Sequence, residues 1–409
     1  MDTEDFIRWA FDGARTLEEC YATELLVEHA LLRWHAKHQT GHFTKWELVA
    51  ERKRQRFLNP AYQPEYSEEN VRRAAEILPD LTQWDLVARY QERPVRDMAV
   101  LRFLPALQTL TVDCDILDLS LLTELPNLRT LSFSSPICED YRPLSRCTQL
   151  QHLHLSLSGH WPEVEGLEKL EQLESLTLSG NLLVFARGLT FPRVRQGGLN
   201  CTPLFARSLR ELPQLPACEF LNLSGVERLD GIEAMPRLRN LTLRCPVRDF
   251  APLAGLCELT WFSHFGTLPL DVTPIAHIPR LLCAQFETQH VFGIDQTPLR
   301  DYSPLVASPM LRELHVCGCP PVEMEVDRRE LGPGDRRPRE LHQRLGHRGG
   351  FGGLLELRLL GGGTGGTQEA DGHQQGGDLQ SAQHGHGSFR LGHASAPRSR
   401  SPPIRAPGS

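Results

Sequence analysis

A thirteen-residue phrase recurs ten times between Val95 and Leu311, and each copy runs into a strand-like L-x-x-L-x-L. Val95-Arg-Asp-Met-Ala-Val-Leu-Arg-Phe-Leu-Pro-Ala-Leu107 and Val247-Arg-Asp-Phe-Ala-Pro-Leu-Ala-Gly-Leu-Cys-Glu-Leu259 align without a gap, as does Leu299-Arg-Asp-Tyr-Ser-Pro-Leu-Val-Ala-Ser-Pro-Met-Leu311. The copies start at Val95, Ile116, Cys138, Trp161, Leu182, Ala206, Val226, Val247, Pro269 and Leu299. The steps are 21, 22, 23, 21, 24, 20, 21, 22 and 30 residues. A near-constant period forces each unit to bury its apolar face against the next. The chain must therefore stack as a solenoid instead of closing around a single core.

The apolar columns of the repeat specify that core. The fourth position is apolar in all ten copies: Met98, Leu119, Tyr141, Val164, Phe185, Leu209, Leu229, Phe250, Val272 and Tyr302. The seventh is apolar in nine, with Gly188 the exception. Proline fills the eleventh position in seven copies (Pro105, Pro126, Pro192, Pro216, Pro236, Pro279 and Pro309), just ahead of the strand, where its missing N–H breaks no ladder bond. The strands read most clearly as Leu128-Arg-Thr-Leu131-Ser-Phe133 and Leu238-Arg-Asn-Leu241-Thr-Leu243. Their last three residues alternate, sending apolar side chains inward and polar ones outward. Each large side chain buried between neighbours stabilises by roughly 1.5–3 kcal/mol.

The form I-x-D-I-x-P-L-x-x-L-x-x-L-x-x-L-x-L resembles the leucine-rich-repeat superfamily, in its short 21–22-residue, internalin-like bacterial class. Asp97, Asp118, Asp140, Asp249, Asp271 and Asp301 fill its aspartate position, and Pro143, Pro252, Pro274 and Pro304 its P-L step. The likeness covers about Val95–Val316. It implies a right-handed α/β solenoid with a parallel sheet on the concave face, and that face is commonly used to hold another protein. One departure stands out. The asparagine that caps the turn in that class is present only as Asn181, so less regular turns are expected. Gly188, Gly197 and Gly198 weaken the fifth repeat and predict a bend, bulge or soft point over Phe191–Asn200. The 30-residue step predicts an inserted loop around His290–Thr297.

Outward-facing strand positions are polar and small at first (Thr109, Thr111, Thr130, Ser132, Ser175, Thr177), interrupted by His152 and His154. They then become Phe220, Asn222, Asn240, Arg244, Trp261 and Phe265. Exposed aromatics beside arginine are typical anchors for a protein partner. These eight residues (His152, His154, Phe220, Asn222, Asn240, Arg244, Trp261 and Phe265) are the candidate partner-binding set. An alternative for Trp261 and Phe265 is burial beneath a neighbouring loop.

Residues 1–92 read as a helical N-terminal unit that also caps the solenoid. Thr16-Leu-Glu-Glu19 and Thr44-Lys-Trp-Glu47 have capping-box form, Ser67 can cap Glu68–Leu78, and Thr82 can cap a helix over Gln83–Tyr90. His35 and His38 share a helical face, but no nearby Asp, Glu or Cys completes a metal-ligand set, so they read as a helix end. The repeats occupy 93–324. Residues 325–409 hold 19 of the 33 glycines and read as a disordered, low-complexity tail. The abrupt change of pattern is also what an out-of-frame translation of a GC-rich gene would produce.

The net charge of −7 is uneven: the tail, with 12 arginines and 9 acids, carries +3 and the remainder −10. A mildly acidic body argues against nucleic acid as a partner. The acidic start and the lack of a long apolar run indicate neither export nor a membrane span. The eleven scattered cysteines read as reduced core residues of a cytoplasmic protein. Cys317-Gly-Cys319 is too tightly spaced for a zinc knuckle. No nucleophile elbow, phosphate-binding loop or H-E-x-x-H is present. The sequence thus predicts a monomeric, non-catalytic scaffold with no cofactor and no metal. The alternative is an effector or toxin-related protein whose N-terminal unit is active and whose repeats are a targeting arm.

Overall fold

The computed structural model describes residues 3–38, 67–87, 95–157, 162–180, 183–201, 207–265, 271–287, 303–317, 341–346 and 354–359. The chain divides into two compact units, Met1–Gly362 and Gly363–Ser409, and every described residue belongs to the first.

Three described helices precede the sheet: α1 (Thr3–Ala10), α2 (Leu17–His38) and α3 (Glu68–Ala75). Local chemistry sets their starts. The Thr16 backbone N–H donates to Glu19 Oε2 at 2.8 Å while the Glu19 N–H donates to Thr16 Oγ1 at 3.1 Å, closing the expected capping box. Ser67 Oγ accepts from the Asn70 N–H at 3.2 Å, as its position ahead of α3 predicts. The second expected box, at Thr44, lies outside the described residues.

The helix expected over Gln83–Tyr90 is not formed. Gln83–Val87 is strand β1, paired in parallel with β2 (Thr109–Asp113) from Gln83↔Thr109 to Val87↔Asp113. The reason is packing. Trp84 and Leu86 are each only 1 % exposed, and strand alternation turns both into the first coil beside Leu110 and Val112. That burial outweighs a local capping preference. The ten phrases are therefore flanked by eleven strands, not ten.

The parallel ladder continues through β3 (Thr130–Ser134), β4 (His152–Ser156), β5 (Ser175–Ser179), β6 (Gln196–Asn200), β7 (Phe220–Ser224), β8 (Asn240–Arg244), β9 (Trp261–Phe265), β10 (Cys283–Glu287) and β11 (Glu313–Cys317), each paired with its neighbours in sequence. One hydrogen-bond pattern is repeated at every step. The two residues entering each strand donate their N–H groups to a single carbonyl one coil back, as Arg129 and Thr130 do to Gln108, and Thr260 and Trp261 to Arg239. Proline three or four residues earlier interferes with neither bond.

The phrases themselves fold mostly as short 3₁₀ turns such as Ala99–Phe103, Ser120–Glu124 and Ala251–Gly255. The aspartate column caps them. Oδ1 of Asp97, Asp118, Asp140, Asp249 and Asp271 accepts the N–H two residues on, at 2.5, 2.8, 3.0, 2.8 and 2.8 Å. Gly166 and Gly231 replace the cap where the aspartate is missing. Their φ values of 89° and 105° suit glycine, and the side chains of Glu168 and Glu233 accept their N–H groups. Where asparagine would normally hold the turns, the residue one place earlier does part of the job. Ser135 Oγ donates to the Ile116 carbonyl at 2.7 Å, and the thiols of Cys201 and Cys245 approach the Ser224 and Leu223 carbonyls at 3.2 and 3.9 Å.

The bulge expected at the fifth repeat is absent. Strand β6 pairs residue for residue with β5 and β7. Space explains the glycines instead. A Cβ on Gly197 would meet Leu215 Cδ1 at 2.7 Å and Cys218 Sγ at 3.2 Å, and one on Gly198 would meet Thr177 Oγ1 at 2.8 Å. The inserted loop expected around His290–Thr297 lies outside the described residues. Within 325–409, the structure describes β12 (Leu341–Gly346) and β13 (Leu354–Leu359), with β13 antiparallel to both β11 and β12.

Inward side chains form one continuous core, from Phe6 on α1 to Leu314 on β11. Near its C-terminal end, Phe250, Phe262 and Phe286 meet edge to face, with centroids 5.3 and 5.8 Å apart. His264 is fully buried among them, its ring 5.2 Å from Phe250 and its Nε2 donating to the Cys245 carbonyl at 3.3 Å. No described residue bonds its Nδ1. Burial pushes this imidazole down from 6.5 to about 4, and the bond to Cys245 opposes the shift. Between pH 6.5 and 4 the unfolded chain therefore binds more protons than the folded one. The stability tied to the neutral ring is whole above about pH 6.5 and is lost as pH falls towards 4, by roughly 3 kcal/mol in all. Urea midpoints measured from pH 7 to pH 4 should drop less steeply in His264→Phe than in the wild type, and parallel profiles would disprove the assignment.

Candidate functional site

Alternation places three rows of outward side chains across the strands. The first row runs Gln83, Thr109, Thr130, His152, Ser175, Gln196, Phe220, Asn240, Trp261, Cys283 and Glu313, each paired with the next. The second contains His154, Thr177, Gly198, Asn222, Thr242, Ser263, Gln285 and His315, and the third contains Ser224, Arg244 and Phe265.

The row register brings six of the eight candidate residues together. Phe220, Asn240 and Trp261 lie side by side on consecutive strands, so the two aromatics stand about 10 Å apart with the amide between them. Phe220 is 43 % exposed and Trp261 40 %, so neither is a core residue. Trp261 is also held in place: its Nε1 donates to Ser263 Oγ at 2.9 Å, and Ser263 Oγ approaches Gln285 Oε1 at 3.4 Å. In the third row, the exposed Arg244 puts its guanidinium 5.4 Å from the centre of the half-buried Phe265 ring. Asn222 is exposed in the second row. His152 (exposed) and His154 (half-buried) stand apart from this group on β4, three strands before Phe220.

A second cluster was not foreseen. The Cys283 thiol, the Glu313 carboxylate and the His315 imidazole converge to within 4.8 Å of one another at the C-terminal end of the same face. In sequence they are 30 and 32 residues apart, and only the β10–β11 register reveals their contact. His38 Nδ1 donates to the Trp34 carbonyl at 2.8 Å and its ring stacks on Trp34 at 4.3 Å. The nine cysteines from Cys20 to Cys283 are free. Burial pushes the thiols of Cys147, Cys201 and Cys218 up to about 11 and those of Cys138 and Cys245 to about 12, which keeps them protonated and unreactive. No described helix is long and apolar enough to cross a membrane.

A step of 20–24 residues at eight of nine positions, one short parallel strand per coil and capped short turns between the strands define a leucine-rich-repeat solenoid. Among solved structures, the chain is similar to an internalin (InlF) of Listeria monocytogenes at 18% identity, covering 66% of this chain and 68% of that one with a TM-score of 0.28. It is also similar to internalin C2 of the same organism (19% identity, 57% and 80% covered, TM-score 0.26) and to a leucine-rich-repeat protein of Leptospira interrogans (13%, 56% and 76%, 0.27). No family model and no curated protein sequence matches the chain.

Proposed function

We propose that this protein is a non-catalytic scaffold that holds a protein partner on the concave face of the solenoid, centred on β7–β9. The observation that carries this reading is the pair of exposed aromatics, Phe220 and Trp261, in one row with Asn240 between them. Two rigid aromatic faces flanking a hydrogen-bonding amide, with Arg244 on the rim, have the composition of an interface centre. His152 and His154 would form an outlying part of the contact. Helices α1–α3 serve as the cap of the open end in this account. Phe6 meets Phe103 edge to face at 5.2 Å and the Arg102 guanidinium lies 4.1 Å from the Trp9 ring centre, so the first coil's apolar residues are covered. We further read the protein as a cytoplasmic monomer. Its buried free thiols suit a reducing compartment. The test is affinity capture from native extract with the wild type and with a Phe220→Ala/Trp261→Ala variant. A protein retained by the wild type and lost from the equally stable variant supports the reading. Equal retention by both overturns it.

A further inference from the structure

We propose that Cys283, Glu313 and His315 bind one divalent ion of the zinc class at the C-terminal end of the concave face. Cys283 and Glu313 are paired across the β10–β11 ladder, and His315 lies two residues beyond Glu313 on the same side of the strand. Two neighbouring strands thus deliver three donors to one spot without any loop having to fold over. His315 Nε2 lies 3.7 Å from Glu313 Oε2, and all three donor atoms fall within 4.8 Å of one another. A tetrahedral ion with metal–nitrogen and metal–oxygen bonds of about 2.0–2.2 Å and a metal–sulfur bond of about 2.3 Å separates its ligands by roughly 3.3–3.7 Å. Small side-chain rotations close that gap.

The donor set selects the ion. A thiolate with an imidazole and a carboxylate suits zinc and its cobalt and cadmium surrogates, whereas magnesium and calcium want oxygen alone. Cys283 is unusual among the cysteines, because it occupies an outward-facing row and is nevertheless only 3 % exposed. Three protein ligands leave a fourth position for water. As the sulfur–metal bond forms, the thiol proton passes to solvent. Among the described residues no other group of three potential ligands converges in this way.

Cobalt(II) titration of the full chain under reducing conditions tests the site with the metal alone. The expected result is one equivalent bound, with a thiolate-to-cobalt charge-transfer band in the near ultraviolet, tetrahedral bands in the visible, and bleaching of both on addition of zinc. Cys283→Ser should abolish the charge-transfer band. His315→Gln and Glu313→Gln, at half-buried positions, should each weaken binding by more than the roughly 10–100-fold typical of an outer-sphere partner. A charge-transfer band that survives in Cys283→Ser would show that cobalt sits on another thiol and overturn the proposal. So would unchanged affinity in both Gln variants, or no tetrahedral spectrum in the wild type.

Discussion

Alanine in place of Trp84 is expected to destabilise the folded chain by about 3–5 kcal/mol, the range for deleting a large buried aromatic ring. Trp84 is among the largest fully buried side chains, and its strand position faces Leu110 of the next coil. Its neighbours Gln83 and Asp85 point outward and are half-buried, so alanine there should change stability by less than about 1 kcal/mol. Denaturant midpoints for the three variants distinguish the strand from the helix suggested by the local sequence. On a helix, Trp84 and Asp85 would not alternate between interior and face, and the three costs would not follow an in–out pattern. Solenoid coils contact only their neighbours, so hydrogen-exchange protection should fall first in β1–β3 and hold longest in β8–β10. Uniform loss of protection along the chain would contradict the stacked architecture.

Trp261→Ala should carry the second large effect, on binding. An anchor at the centre of an interface is worth about 2 kcal/mol or more, which corresponds to a loss of at least roughly 30-fold in partner affinity. Stability should hardly move, because the ring is 40 % exposed and its one described hydrogen bond, to Ser263, is local. Phe220→Ala is expected to act in the same direction. The two effects should be close to additive, since the side chains sit two strands apart with Asn240 between them. A variant that loses binding and melting temperature together would instead mark Trp261 as part of the core. Phe262 provides the comparison, being fully buried one residue away, and its loss should cost stability before anything else.

The repeat made most of the fold legible. Ten in-phase phrases specify the columns, and among the described residues most column positions are buried, including Tyr141, Phe250 and Leu305. Five of the six aspartates read as matching a motif prove to cap the short helical turns that follow them, and Asp301 lies outside the described residues. What escaped the sequence was context. The strand at Gln83 precedes the first phrase, so no period pointed to it, and Thr82 offered a plausible helix start. Trp84 and Leu86, separated by one residue with polar Gln83 and Asp85 alternating around them, were the signal that could have revealed it. Gly197 and Gly198 looked like weak points because a glycine's lack of side chain is visible in a sequence, whereas Leu215, Cys218 and Thr177 pressing against it are not. Leu354-Leu-Glu-Leu357-Arg-Leu359 carries the strand pattern inside the glycine-rich stretch and forms β13, which was obscured by its surroundings.

The proposed binding face was legible as a row and not as a cluster. Period-two alternation identified Phe220, Asn240 and Trp261 as outward residues, and the ladder register makes them neighbours. Cys283 was assigned to the core because cysteine is commonly buried. Its burial is real, but it lies on the outward row beside Glu313, which no local pattern encodes.

The most direct test of the binding face is photo-crosslinking from position 240 in the native cell. With benzoylphenylalanine replacing Asn240, between the two aromatics, irradiation should yield one covalent adduct to a protein partner. The same probe at Glu124, exposed on the 3₁₀ turn opposite the sheet, should yield none. No adduct at 240, or the same adduct from both positions, would contradict a partner held on the concave face at β7–β9.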